Sequence, residues 1–214
     1  VAFGVPVVGG NVSLYNESAG TDIDPTPVIG LLGMVDDLVR RPPGATLVDG
    51  HRLVLLGPSD VSLSGSLWGA TRDARGGELA PLDLELHQRV VDFVCDLVVS
   101  GRVDGVHDVS AGGLGVAVAE MVSRSGVGAH LARIEDHRAL FGEGPSRVVL
   151  VVDPECLSEV LAAAEAARVP TTRIGLATGD RLIVKGLLDV AVDDVVAAHT
   201  GRLPEALGAG TTNR

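Results

Sequence analysis

Aromatic residues are scarce: three Phe, one Tyr and one Trp in 214 positions. A platform that stacks single-stranded nucleic acid needs several exposed rings, so RNA-reader folds are disfavoured. Positive charge is also short, with 17 Lys and Arg against 28 Asp and Glu and a formal net charge of −11. That field disfavours nonspecific binding to nucleic acid or anionic membrane. Phosphate ligands remain open, because backbone N–H groups and a metal ion can hold them without net positive protein charge. The two cysteines, Cys95 and Cys156, lack Cys-x-x-Cys or Cys/His ligand spacing, which indicates neither zinc nor a disulfide framework and points to a reducing compartment. No apolar run approaches the roughly 18 residues that a membrane-spanning helix needs, and a cytoplasmic protein is expected. The chain begins without Met on apolar residues 1–8, which reads as the downstream piece of something longer.

What is present is aliphatic. Hydrophobic residues make up 46% of the chain, enough for a folded core, and no internal repeat is visible. Residues 2–10 and 28–35 read as strands flanking a polar loop at 11–27. Arg41-Pro42-Pro43-Gly44 breaks any regular element and marks a domain boundary, giving domains 1–43 and 44–214. Beyond it, strands are expected at 52–56, 103–109, 128–131, 147–152, 174–177 and 182–185. The clearest helix covers 83–100, where Leu86, Val90, Phe93, Val94, Leu97 and Val98 recur at spacings of three and four. Further helices are expected at 113–124, at 157–168 with Asp153 as its N-cap and Pro154 at its first position, and weakly at 193–199. The irregular alternation predicts an α+β fold with helices on one face of a mixed sheet.

Three glycine-bearing loops could carry chemistry. In Gly9-Gly10-Asn11-Val12-Ser13 the glycines let main chain approach a bulky anion, Asn11 offers a neutral oxygen to a hard cation, and Ser13 offers a hydroxyl. The same residues also suit a self-bonded tight turn. In Asp108-Val109-Ser110-Ala111-Gly112-Gly113, a strand meets a helix N-terminus, where an anion is favoured. Asp108 is then either a magnesium ligand or a helix cap, and His107 reads as a packed or surface residue. In Glu143-Gly144-Pro145-Ser146-Arg147, Arg147 either clamps a phosphate or pairs with a carboxylate. Neither cysteine has a base partner that would make it a nucleophile.

Taken in series, GVPVVGGNVSLYNES, PTPVIGLLGMV, HDVSAGGLGVAVAEM and LFGEGPSRVVLVV resemble the second half of the phosphoribosylformylglycinamidine synthases, the PurL family. The resemblance implies a PurM-like fold: the end of an N-terminal, barrel-forming α/β part, then an α+β C-terminal domain. It implies ATP-dependent amidation of formylglycinamide ribonucleotide with ammonia from glutamine, using ATP and Mg2+, in a complex with the PurQ glutaminase and PurS. Under it Gly10 contacts ATP, Asn11 holds magnesium and Ser13 contacts substrate. Asp108, Ser110, Gly112, Gly113, Glu143 and Arg147 form a second nucleotide or metal loop by internal pseudosymmetry. The family's catalytic histidine, nucleotide-binding lysine and most magnesium carboxylates lie in the upstream half, so no catalytic residue is expected in this chain. Two alternatives stand beside this one: a scaffold half with a vestigial nucleotide site, and a related ATP-using synthetase or kinase of the same superfamily.

Overall fold

The computed structural model describes residues 3–11, 17–23, 26–34, 41–74 and 76–208. The chain divides into two compact units, Val1–Arg41 and Pro42–Arg214.

In the first unit the described regular structure is a hairpin of β1 (Glu17–Ser18) and β2 (Thr21–Asp22), paired antiparallel. The strands expected at 2–10 and 28–35 do not form among the described residues. Their apolar side chains stand in the open, Val8 at 94% and Val28 at 95% exposure. A strand needs a neighbour to satisfy its backbone N–H and C=O groups, and among the described residues neither segment forms a strand ladder.

The second unit is built on seven strands: β3 (Arg52–Leu56), β4 (Gly105–Asp108), β5 (Ala129–Leu131), β6 (Val148–Val152), β7 (Thr171–Ala177), β8 (Arg181–Val184) and β9 (Leu188–Ala191). They lie in the order β4-β6-β3-β7-β5-β8-β9, antiparallel throughout except for the parallel pair β5–β8. The helices are α1 (Leu67–Ala70), α2 (Leu84–Ser100), α3 (Gly113–Ser125), α4 (His137–Phe141), α5 (Leu157–Ala166) and α6 (Val192–Ala206).

Helices cover both faces of the sheet, not one. Leu53, Leu55, Val149 and Val151 pack with Leu114, Val118 and Met121 of α3 and Leu140 of α4. The alternate residues Val54, Leu56, Leu150 and Val152 pack with Val90, Phe93 and Leu97 of α2 and with Val160 and Ala164 of α5. The cause is in β3 and β6 themselves: both are near-continuous aliphatic runs, and a strand without alternation must be buried on both sides.

Helix ends follow local chemistry. Asp83 caps α2 by accepting the Leu86 N–H at 3.0 Å, and Gly101 closes it. Asp153 does not cap α5. It accepts the Glu155 N–H in a preceding turn, and the helix starts after Cys156. The expected helix at 193–199 runs longer, through Pro204 to Ala206, and β9, α1 and α4 are additional short elements.

β7 and β8 follow one another in the chain but are not neighbours, because β5 lies between them. The turn joining them passes over Gly128, with the Gly128 N–H donated to the Gly179 carbonyl and the Thr178 N–H donated to the Gly128 carbonyl. A Cβ on Gly128 would stand 2.5 to 2.7 Å from backbone atoms of Arg181 and Thr178, so only glycine fits under this arch.

Candidate functional site

Two of the three loops singled out from sequence, 108–113 and 143–147, meet at one end of the sheet, where β3 and β4 finish and β6 and β7 begin. One carboxylate joins them. Glu143 Oε1 accepts the N–H of Gly112, the residue preceding α3, at 2.7 Å, and the N–H of Leu67, the first residue of α1, also at 2.7 Å. Charge-assisted bonds of this length are the strong kind. The protein's own carboxylate therefore occupies part of the α3 N-terminus, where an external anion was expected. Next to it, the Gly113 N–H is donated to the Ser110 carbonyl at 3.0 Å. Gly113 sits at φ 68°, and a Cβ there would stand 2.7 Å from the Gly142 carbonyl oxygen, so this glycine lets α3 abut the end of α4.

A cavity of about 580 Å³ opens beside these loops. Val91 and Val94 of α2 supply an apolar wall, Asp108 and Ser110 a second side, and residues 143–147 a third. His87 of α2 places Nδ1 2.9 Å from the Ser146 hydroxyl, which ties the helix to the loop. Ser146 holds a left-handed backbone at φ 64°, a conformation that costs a non-glycine residue about 1 kcal/mol or more. Sequence reasoning passed over His87, although it shares the α2 face of Val91 and Val94 at helical spacing.

Asp108 is not a helix cap, since no side chain caps α3. Its own side chain is largely exposed, with Oδ1 3.4 Å from His107 Nδ1. His107 is committed on both sides of the ring, Nδ1 lying 2.7 Å from the Asp108 carbonyl and Nε2 3.1 Å from Glu120 Oε2. Of the two carboxylates lining the cavity, Glu143 accepts two backbone N–H groups through Oε1 and Asp108 is the more exposed. Among the described residues no group of three or more His, Cys, Asp and Glu could hold a metal ion. Asp108 fits a magnesium ion only in the manner of hydrated Mg2+, as one ligand completed by phosphate oxygens and water.

Arg147 is 5% exposed and forms no ion pair among the described residues; its Nη1 donates to the Gly142 carbonyl at 3.4 Å, and its Nε has no hydrogen-bond partner. Burial alone pushes this guanidinium below its ordinary pKa, yet arginine stays charged at neutral pH. Of the two roles expected for Arg147, pairing with a carboxylate does not occur among the described residues.

Gly10 and Asn11 lie in the first unit, both exposed, and nothing stands within 4 Å of where a Gly10 Cβ would project. Ser13 falls outside the described residues. Cys95 is free and lines the 580 Å³ cavity from α2, while Cys156 is free and half-buried before α5.

A mixed sheet sandwiched by helices, with two glycine-bearing loops gathered at one end, defines an α+β domain. The family model of the AIR synthase related proteins, C-terminal domain, matches residues 48–186, and the chain belongs to this family. Over 207 residues, 96% of the chain, it is 41% identical to the phosphoribosylformylglycinamidine synthase subunit PurL of Nocardioides sp.. It is 41% identical over 97% of its length to the same subunit of Methylocella silvestris. The chain spans only 27% and 29% of those two relatives. Its fold matches Thermotoga maritima PurL complexed with FGAR, at a TM-score of 0.59 and 19% identity, covering 72% of this chain and 29% of that one. The same protein complexed with ATP gives 0.58 at 18% identity, covering 72% and 27%. No helix among the described residues is long and apolar enough to cross a membrane.

Proposed function

We propose that this chain is the C-terminal portion of a phosphoribosylformylglycinamidine synthase. The complete protein amidates formylglycinamide ribonucleotide at the expense of ATP, with ammonia derived from glutamine, and works with PurQ and PurS subunits in the cytoplasm. The observation that carries this reading is the 41% identity across nearly the whole chain to two subunits of that name. Residues 1–43 then belong to the N-terminal, barrel-forming domain and 44–214 to the C-terminal α+β domain.

In this reading the turn at Gly10 admits the nucleotide, Asn11 holds magnesium through its neutral side-chain oxygen, and Ser13 bonds the ribonucleotide substrate. Magnesium supplies charge neutralisation for phosphoryl transfer to the substrate amide oxygen, and the chain's residues position the phosphates and exclude water. The open space at Gly10 is compatible with close approach of a phosphate. The groups that react are proposed to lie upstream of residue 1, so the 214 residues alone are expected to show no turnover. Asn11→Ala and Ser13→Ala in the complete protein test the assignment. A fall in kcat/KM of tenfold or more, with folding intact, is expected, and near-normal turnover in both would refute it.

A second reading has its own support. Glu143 fills part of the α3 N-terminus and Gly113 packs on the end of α4. These contacts favour a structural role for the loop at Asp108, Ser110, Gly112, Gly113, Glu143 and Arg147 over a working second nucleotide site.

A further inference from the structure

A second cavity, of about 550 Å³, opens at the same end of the sheet on the α3 side. Leu55, Leu114 and Ile174 form its apolar floor, and Arg133, Arg138 and Arg147 all line it. Strand geometry decides where Arg147 points. Val149 and Val151 face the α3 core and Leu150 and Val152 the α2 core, so Arg147, two residues before Val149, falls on the α3 side. Its bond to the Gly142 carbonyl agrees with that direction.

Arg147 is a buried cation without a counter-ion among the described residues, in a chain of net charge −11. Buried charges are ordinarily paired, because desolvation penalises a lone one heavily. The carboxylates in this cavity do not answer it. Asp136 is engaged in capping α4 through the Ala139 N–H, while Asp60 and Glu135 are exposed at the rim and form no ion pair with Arg147. Arg138 is engaged with the Val61 carbonyl through Nε and Nη2, which leaves Arg133 as a second available cation at the mouth.

We propose that this cavity binds a phosphate-class oxyanion, with Arg147 as the buried counter-charge and Arg133 at the entrance. The volume exceeds what a bare phosphate fills, and Asp60 and Glu135 are placed to take hydroxyl or amine groups of a phosphorylated small molecule. Arg147 stands between this cavity and the Asp108 cavity and lines both, and the proposal, which concerns the α3 side, does not depend on the ligase reading.

The 214-residue chain is titrated with inorganic phosphate at constant ionic strength, with chloride as the balancing salt, and followed by unfolding midpoint. The fluorescence of Trp68 gives a second signal, since this single tryptophan stacks on Phe141 next to Gly142, 4.8 Å between ring centroids. A saturable rise in midpoint is expected, with affinity reduced tenfold or more in Arg147→Met and about two- to fivefold in the exposed Arg133→Gln. Should Arg147→Met fail to fold, Arg147→Lys takes its place, with a weakened response expected from the loss of bidentate geometry. Crystals soaked in tungstate should show the anion within hydrogen-bond distance of Arg147. The proposal is overturned if phosphate acts no differently from chloride, if acetate gives an equal response, if the Arg133 and Arg147 variants bind as the parent does, or if tungstate is found only elsewhere.

Discussion

Replacing Glu143 with Ala removes the acceptor shared by the Gly112 and Leu67 N–H groups, each 2.7 Å from Oε1. A hydrogen bond to a charged group contributes about 1.5–3 kcal/mol when sheltered. Glu143 is only half-buried, so the low end applies to each bond, and a loss of about 2–3 kcal/mol is expected for the pair. Glu143→Gln keeps a carbonyl oxygen within reach and loses only the charge assistance, so about half that loss is expected. Urea unfolding of the second unit measures both, the midpoint moving while the slope stays constant. For a chain of this size the same change lowers the unfolding temperature by about 2–4 °C per kcal/mol. If Glu143→Ala lies within about 0.5 kcal/mol of the parent, the range of an unremarkable surface change, then the carboxylate does not tie the starts of α1 and α3 to its own loop. The reasoning about a self-satisfied α3 N-terminus would fail with it.

Three further substitutions test the packing. Leu97→Ala empties a fully buried site facing β3 and β6 and is expected to cost about 2–5 kcal/mol, whereas Val99→Ala, at a position 85% exposed, should stay within about 0.5 kcal/mol; calorimetry of the pair checks both. Gly113→Ala sets a Cβ 2.7 Å from the Gly142 oxygen at a positive φ, and a loss of at least about 2 kcal/mol is expected by urea titration.

Much of the second unit is legible in the sequence because its elements are strongly patterned. The α2 stripe, the aliphatic runs of β3 and β6, and the Asp83 and Gly101 termini each state locally what the fold then uses. The two-faced burial was written in those same unalternating runs, which an expectation of one covered face overlooked. The segments at 2–10 and 28–35 misled for the opposite reason. Their composition favours strands, but pairing is a property of neighbours, and a local reading cannot supply them. For the site, the glycine and acidic loops were visible. Their convergence through Glu143 was not, because residues 31 positions apart meet only once β4 and β6 are paired. The isolation of Arg147 was equally hidden: a sequence shows a cation but not whether a carboxylate reaches it.

The arch over Gly128 sets an order of assembly. Because the three residues of β5 are wedged between strands that are consecutive in the chain, the β8–β9 hairpin reaches the rest of the sheet only through β5, a non-local pairing. β8, β9 and α6 are thereby expected to dock late, and amide exchange is expected to find that block opening before the β3–β6 centre does.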